Sequence, residues 1–281
     1  MKHWLTYPLV THPYEAEFVS KDGIVRFARA AEAAGFAGIG FTDHPAPSHK
    51  WLSAGGHDAL DPFVALTMVA TVTEHVRLIP NIVVLPYRNP FLTAKAAATL
   101  DALSGGRFVL SVATGYLRSE YRALGVDFEQ RNALFDEALA VLRDAWAGGE
   151  ISFHGEHVSF EHVMVTPDPV HVPLILGGNT EPALRRAARV ADGWFSSGNP
   201  TFEEAVRLRD RLAELADDAG RSLPVYVRMA GRDPAALAGY AAHGFEHVTV
   251  WANQLWPEQG DLATKQAGFA DAAAALLSAV R

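Results

Sequence analysis

Asp43 and His44 stand side by side in "GFTDHPAP", directly after the short apolar run Phe36-Ala37-Gly38-Ile39. An acid beside an imidazole joins a negative charge to a ring that titrates near neutral pH. Such a pair binds a polar group or moves a proton. A capping aspartate next to a hydrogen-bonded surface histidine is the plainer reading of the same residues. The stretch "LILGGNTEPALRRAARVADGW" sets Gly177 and Gly178 before Asn179, Thr180 and a helical run. Glycines let a ligand approach the backbone, and a helix start offers free amides and a positive dipole end to a phosphate. An ordinary strand-to-helix turn, capped by Asn179 or Thr180 with Pro182 in the first turn, accounts for it as well. The three-glycine dinucleotide fingerprint is not present.

Two further stretches carry the same kind of signal. In "LSVATGYLRSEYRALG", Thr114-Gly115 turns a strand into a loop. Either a ligand approaches closely there with Tyr116 lining its pocket, or Tyr116 packs on the core as a lid. In "VRLIPNIVVLPYRNP", Pro80 falls inside an apolar run. Proline interrupts a strand ladder, through a bulge or a backbone pressed against a ligand.

Composition removes several classes of chemistry. The 281 residues are 49% hydrophobic and 20% charged, the range of a soluble globular chain with a large core. Cysteine is missing, which excludes disulfides, thiolate nucleophiles and thiolate metal sites. The formal charge of −8 argues against a general nucleic-acid surface. No apolar run approaches a membrane span, and the first residues lack a signal-peptide pattern, so the cytoplasm is the expected compartment. His49, His57, His154, His157 and His162 form no metal-binding spacing, and no metal is expected. Ser196 lacks a nucleophile elbow.

These groups need elements that hold them, and the chain alternates short β-type runs with helical runs. Strands are expected at His3–Pro8, up to Phe41 or Thr42, in "VRLIPNIVVL", "GGRFVLSVAT", "PLILGG", "GWFSS", "PVYVRMA" and "HVTVWA". Helices are expected at 22–34, in "PFVALTMVATVT" and "PFLTAKAAATLDALS", and at 130–147, 181–191, 202–219, 234–243 and 262–280. Two alternating stretches around His154-Gly155 read as a hairpin insertion over 150–172. Eight βα units in one chain, with no linker to divide it, point to a single α/β domain over 1–281, a (β/α)8 TIM barrel. A doubly wound sheet is the rival. A barrel gathers reactive groups at the C-terminal strand ends. That rule selects Tyr7 and Pro8, Asp43 and His44, Asn81 to Pro86, Ala113 to Tyr116, Gly177 to Thr180, Ser196 and Ser197, Arg228 to Gly231, and Trp251. Trp51 and Leu52 in the loop 45–61, with Trp251 and Trp256, suit an apolar pocket, and equally suit loop packing or a dimer surface.

Taken together, "ARAAEAAGFAGIGFTDHP", the long stretch from "DPFVALTMVATVTEHVRLIPNIVVLPYRNP" to "GVDFEQR", and "VPLILGGNTEPALRRAARVADGW" resemble the luciferase-like monooxygenase superfamily. The match covers roughly residues 22–197, and the chain looks closest to the branch that uses the deazaflavin coenzyme F420. The resemblance implies a bacterial luciferase-type barrel, a homodimer, and a flavin-like ring system in the barrel mouth. By it, Asp43 and His44 contact the ring, and a non-proline cis peptide at Asn81-Ile82 lies behind it. Thr114, Gly115 and Tyr116 line the ring, and Gly177, Gly178 and Asn179 meet the phosphate end. Pro80 stands where many relatives have a small residue or threonine. Some flavin-dependent members carry an arginine near the position of Thr114, which favours F420 over FMN here. A sugar-phosphate dehydrogenase of the F420 branch has a glutamate acid near the position of Tyr116, so its proton-transfer scheme does not transfer. The expected activity is hydride transfer between F420 and a small, apolar organic substrate, with Asp43 and His44 as the catalytic pair. The alternatives are an FMN-dependent monooxygenase fed by a separate reductase, a non-catalytic flavin-binding protein, and a metal-dependent hydrolase using Asp43 and His57.

Overall fold

In a computed structural model, residues 1–167, 171–229, 231, 233–255 and 261–278 are described. Eight parallel strand positions form a ring. They are β1 (Lys2–Thr6), β2 (Gly38–Phe41), an interrupted third strand made of β3 (Arg77–Pro80) and β4 (Val83–Val84), and β5 (Leu110–Ala113). After the insertion come β8 (Leu174–Gly177), β9 (Gly193–Phe195), β10 (Val225–Arg228) and β11 (His247–Trp251). The spatial order is β3-β2-β1-β11-β10-β9-β8-β5-β4, all pairings parallel. Because β3 and β4 are successive parts of one strand, the two ends of that order meet. A bridge from Leu78 to Phe108 closes the ring. The doubly wound sheet is thereby excluded, since its edges stay open.

The outer helices are α1 (Lys21–Ala34), α3 (Pro62–Ala70), α4 (Pro90–Ser104), α6 (Arg131–Ala147), α7 (Glu181–Val190), α8 (Phe202–Asp218), α9 (Pro234–Ala242) and α10 (Leu262–Ser278). Their starts follow local chemistry. Ser20, Asp61 and Asn89 accept hydrogen bonds from first-turn amides of α1, α3 and α4, and Thr201 with Glu204 forms a capping box on α8. Two short helices unforeseen in the sequence, α2 (His49–Ser53) and α5 (Arg118–Ala123), lie in the loops after β2 and β5. The insertion is a hairpin of β6 (Ile151–His154) and β7 (Ser159–Val163), antiparallel and separate from the barrel. It is shorter than the 150–172 expected, and 168–170 lie outside the described residues. The Glu137 carboxylate of α6 accepts from the amides of Glu156, His157 and Val158, each at 2.9 Å, which ties the hairpin turn to the barrel.

The barrel interior changes character along its axis. Trp4, Ile79, Val109, Ile175, Phe195 and Tyr226 pack together as one buried apolar layer. Strand side chains alternate with period two, so the inward positions two residues further on are Thr6, Asn81, Ser111, Gly177, Ser197 and Arg228. That next layer is almost wholly polar or without a side chain. The barrel is plugged by aromatics below and lined by hydrogen-bonding groups at its C-terminal mouth.

Candidate active site

Above the apolar plug lies a cavity of about 400 Å³. Asp43, His44, Asn81, Ile82, Thr114, Gly115, Tyr116, Gly177, Gly178 and Asn179 all line it, together with Ser197, Arg228 and Arg186. Roughly thirty to sixty residues of sequence separate successive stretches; the closed barrel brings their strand ends to one mouth. Tyr7 belongs elsewhere. It is buried, stacks on Phe41 at 4.5 Å and donates to the Phe18 carbonyl at 2.8 Å. Ser196 is fully buried, and its hydroxyl accepts from the Arg228 amide. Trp256 and Ala230 lie outside the described residues.

Asp43 is an anchor in this geometry. Its side chain is 1% exposed, and each oxygen has a donor: the Val84 amide at 2.9 Å and the Arg88 guanidinium at 2.8 Å. Burial pushes its carboxyl up from the ordinary value, and the Arg88 charge opposes that. Arg88 also reaches Asp61 at 3.2 Å. The pair therefore fixes the segment that follows the interrupted strand. The interruption itself falls one residue after Pro80, which still pairs with Phe41 at the end of β3. Asn81-Ile82 is a cis peptide, as the family resemblance implied. Asn81 donates to the Thr6 hydroxyl at 2.7 Å, while its Oδ1 is buried without a partner.

His44 has a different setting. Its Nδ1 lies 3.2 Å from Oε2 of Glu120, whose side chain is 1% exposed. Glu120 also accepts from the Tyr87 hydroxyl at 3.2 Å and the Ala46 amide at 3.3 Å. A carboxylate surrounded by donors makes Nδ1 the protonated nitrogen and leaves Nε2 as the one available to a ligand. The rings of Trp51, His57 and Tyr116 stand 4.6, 5.0 and 6.1 Å from the imidazole. Trp251 continues this wall, 5.7 Å from His57. Tyr116 is 63% exposed, so it borders the cavity and is no core lid. Burial lowers the His57 pKa and favours a neutral ring, and the Asp58 carbonyl 3.0 Å from its Nδ1 opposes that.

Sequence reasoning missed Glu120 and Arg88. An acid does stand behind His44, supplied by α5, four residues beyond Tyr116. Its signal was "RSEYRA", a helical fragment inside a strand-end loop. Arg228 was named only as part of a range. The period-two rule applied to "PVYVRMA" puts Tyr226 and Arg228 on the same inward face.

The glycines act by leaving space. A Cβ on Gly177 would stand 2.6 Å from Ile82 Cδ1, and one on Gly115, at φ +69°, would stand 2.5 Å from Val84 Cγ1. Thr180 occupies the cap position of α7, but its side chain makes no capping bond. Asn179 does not cap either. Its amide exchanges two 2.8 Å hydrogen bonds with the backbone of Ser197, joining the fifth and sixth strand ends. The first-turn amides of α7 thus stay without a side-chain acceptor beside Gly177 and Gly178. Among the described residues, no three His, Asp or Glu side chains come together as a metal set, and no helix is long and apolar enough to cross a membrane.

The sequence model of the family described as "Luciferase-like monooxygenase" matches residues 3–274. The chain belongs to the luciferase-like monooxygenase family. Within it, Rv0940c of Mycobacterium tuberculosis is 32% identical over 228 residues, covering 76% of this chain and 78% of Rv0940c. Pyrimidine monooxygenase RutA of Acinetobacter baylyi is 31% identical over 176 residues, covering 60% of this chain and 47% of RutA. This match thus spans about half of RutA. A solved structure of an F420-dependent secondary alcohol dehydrogenase, in complex with an F420–acetone adduct, shares the fold with a TM-score of 0.79 at 16% identity. The likeness covers 100% of this chain and 99% of that one. The luciferase-like barrel accounts for the cavity's position at the C-terminal strand ends.

Proposed function

We propose that this protein is an F420-dependent oxidoreductase that transfers a hydride between the deazaflavin and a small organic substrate. The observation that carries this reading is the His44–Glu120 pair at the rim of a cavity whose floor is shaped by glycines. The cavity suits a flat, hydrogen-bonding ring system. Gly177 and Gly115 remove the side chains that would fill it, and the buried Asn81 Oδ1 offers an acceptor without a partner. The uncapped first turn of α7, beside Gly178 and Asn179, suits the phosphate end. Thr114 in place of an arginine favours F420 over FMN, and so does the end-to-end fold match with a dehydrogenase that uses F420.

Bound there, the deazaflavin supplies hydride exchange at its central ring. The protein's part is proton handling and orientation. Glu120 holds His44 through Nδ1, so Nε2 gives a proton to, or takes one from, the substrate oxygen that gains or loses the hydride's charge. Asp43 and Arg88 hold the Val84 segment in the cavity wall, and Trp51, Tyr116 and Trp251 would screen a bound ring system from water. The apolar side chains of Val64 on α3 and Leu92 on α4, 69% and 72% exposed, favour a second copy packed against these helices.

Titration with F420 and with FMN, followed by fluorescence quenching, tests the cofactor. F420 is expected to bind well below about 100 μM and FMN more weakly. Absence of F420 binding in that range rejects the proposal. His44→Ala is expected to lower turnover of secondary alcohols or their ketones far more than cofactor affinity. The second reading, an FMN-dependent monooxygenase, is favoured by the RutA relationship. Oxygen consumption with reduced FMN and a separate reductase would support it.

A further inference from the structure

Among the described residues, no acid balances Arg228, a buried cation. It closes the seventh barrel strand and is 7% exposed. A guanidinium has five N–H donors. Here Nη1 reaches the Gly198 carbonyl and Nη2 the Asn81 carbonyl, both at a long 3.4 Å, and Nε is buried with no partner. Every partner among the described residues is thus a neutral carbonyl. The faces of Trp251 and Phe195 lie 5.0 and 5.8 Å from its central carbon. Burial lowers its pKa to about 10, so it stays charged at neutral pH. Holding an unpaired charge in such a site is destabilising, and an apolar residue of the same volume would be at least as stable. Arg228 lines the cavity, and a ligand bound there can bring the compensating charge.

We propose that Arg228 is the anion-binding residue of the substrate pocket, and that the molecule bound here carries a carboxylate on a flat apolar body. The guanidinium fork matches a carboxylate in a bidentate manner. The rings of Trp251 and Phe195 flank the guanidinium, and Tyr116 and His44 line the same cavity. The inference deepens the proposed function by naming a substrate class. It rests on the reading that the cavity holds substrate as well as cofactor.

Benzoate and its uncharged isostere benzamide serve as probes, with binding followed by calorimetry on the protein alone and again with F420 present. Measurement without cofactor keeps a failure of the F420 reading separate from a failure here. The wild-type protein is expected to bind benzoate at least about tenfold more tightly than benzamide. Arg228→Met is expected to abolish that preference, and Arg228→Lys to keep part of it. Thermal unfolding of Arg228→Met without ligand is expected to match or exceed wild type, which a purely structural arginine would not allow. Should that variant not fold, Arg228→Gln carries the same comparison. Equal affinities for the two probes, no benzoate binding up to about 10 mM, or a preference that survives in Arg228→Met would each overturn the proposal. So would a loss of F420 affinity in Arg228→Met with the benzoate preference intact, which would assign the arginine to the cofactor.

Discussion

The bottom of the barrel contains a histidine whose burial ties stability to pH. His247 begins β11, is 7% exposed, stacks on Tyr226 at 4.1 Å, and accepts at Nδ1 from the Trp4 indole N–H at 3.0 Å. Indole nitrogen only donates, so Nδ1 must be unprotonated in the folded state. Burial first, then the charges of Lys2, Arg77 and the N-terminus, lowers the pKa from 6.5 to about 4. Glu246, 3.9 Å away but 71% exposed, opposes this through solvent and weighs little. As pH falls below 6.5, the unfolded chain takes up a proton that the folded chain refuses until about pH 4. Stability is therefore full above pH 6.5 and is lost as pH falls towards 4, at up to about 1.4 kcal/mol per pH unit. The total is about 3 kcal/mol, and with an m-value of about 3 kcal/mol/M it moves the urea midpoint by about 1 M. The comparison is His247→Asn, whose amide oxygen takes the place of Nδ1 and does not titrate. Urea unfolding at pH 7.5, 6, 5 and 4 is expected to show the wild type losing about 3 kcal/mol more than the variant. Parallel pH curves for the two proteins would refute the reasoning, because other buried groups such as His3 cancel in the difference.

Other consequences follow from the mouth of the barrel. Glu120→Gln puts an amide N–H2 where two donors converge and frees the His44 tautomer. Its kcat is expected to fall about 10- to 100-fold, with F420 affinity changed less than about threefold; equal losses in both would make Glu120 a cofactor-site support. Arg88→Met leaves the Asp43 carboxylate buried with only the Val84 amide, and chemical denaturation should register a loss of about 3 kcal/mol. Gly177→Ala places a methyl 2.6 Å from Ile82 Cδ1, inside the cavity wall. Cofactor titration should show at least about tenfold weaker binding with near-normal thermal stability; unchanged affinity would remove the glycine from the ring site.

Much of the architecture was legible from local pattern. Strand and helix order follows from hydrophobic periodicity and stop signals such as Gly35 and Gly105, both in left-handed geometry at helix ends. Eight such units have few ways to bury both faces of a parallel sheet, so the barrel followed from the count. Within the cavity, the strand-end rule found Asp43, His44, Gly177 and Gly178 because chemistry at a barrel mouth leaves polar or side-chain-free residues after an apolar run. It also selected Tyr7 and Ser196, whose side chains point into packing. The rule reads position along a strand and not the side on which the residue emerges.

What the sequence by itself determined is which residues end the strands and which glycines open space beside them. Those are properties of a few consecutive residues. Only the tertiary structure decided what each group touches. Asp43 and His44 are neighbours in the chain, yet one is tied to Arg88 and the other to Glu120, 45 and 76 residues away. Those partners arrive through loops of different βα units, whose lengths and short helices have no period to read. That no acid among the described residues reaches Arg228 likewise becomes visible only when the ring is closed, since what surrounds a side chain is a statement about space and not about sequence.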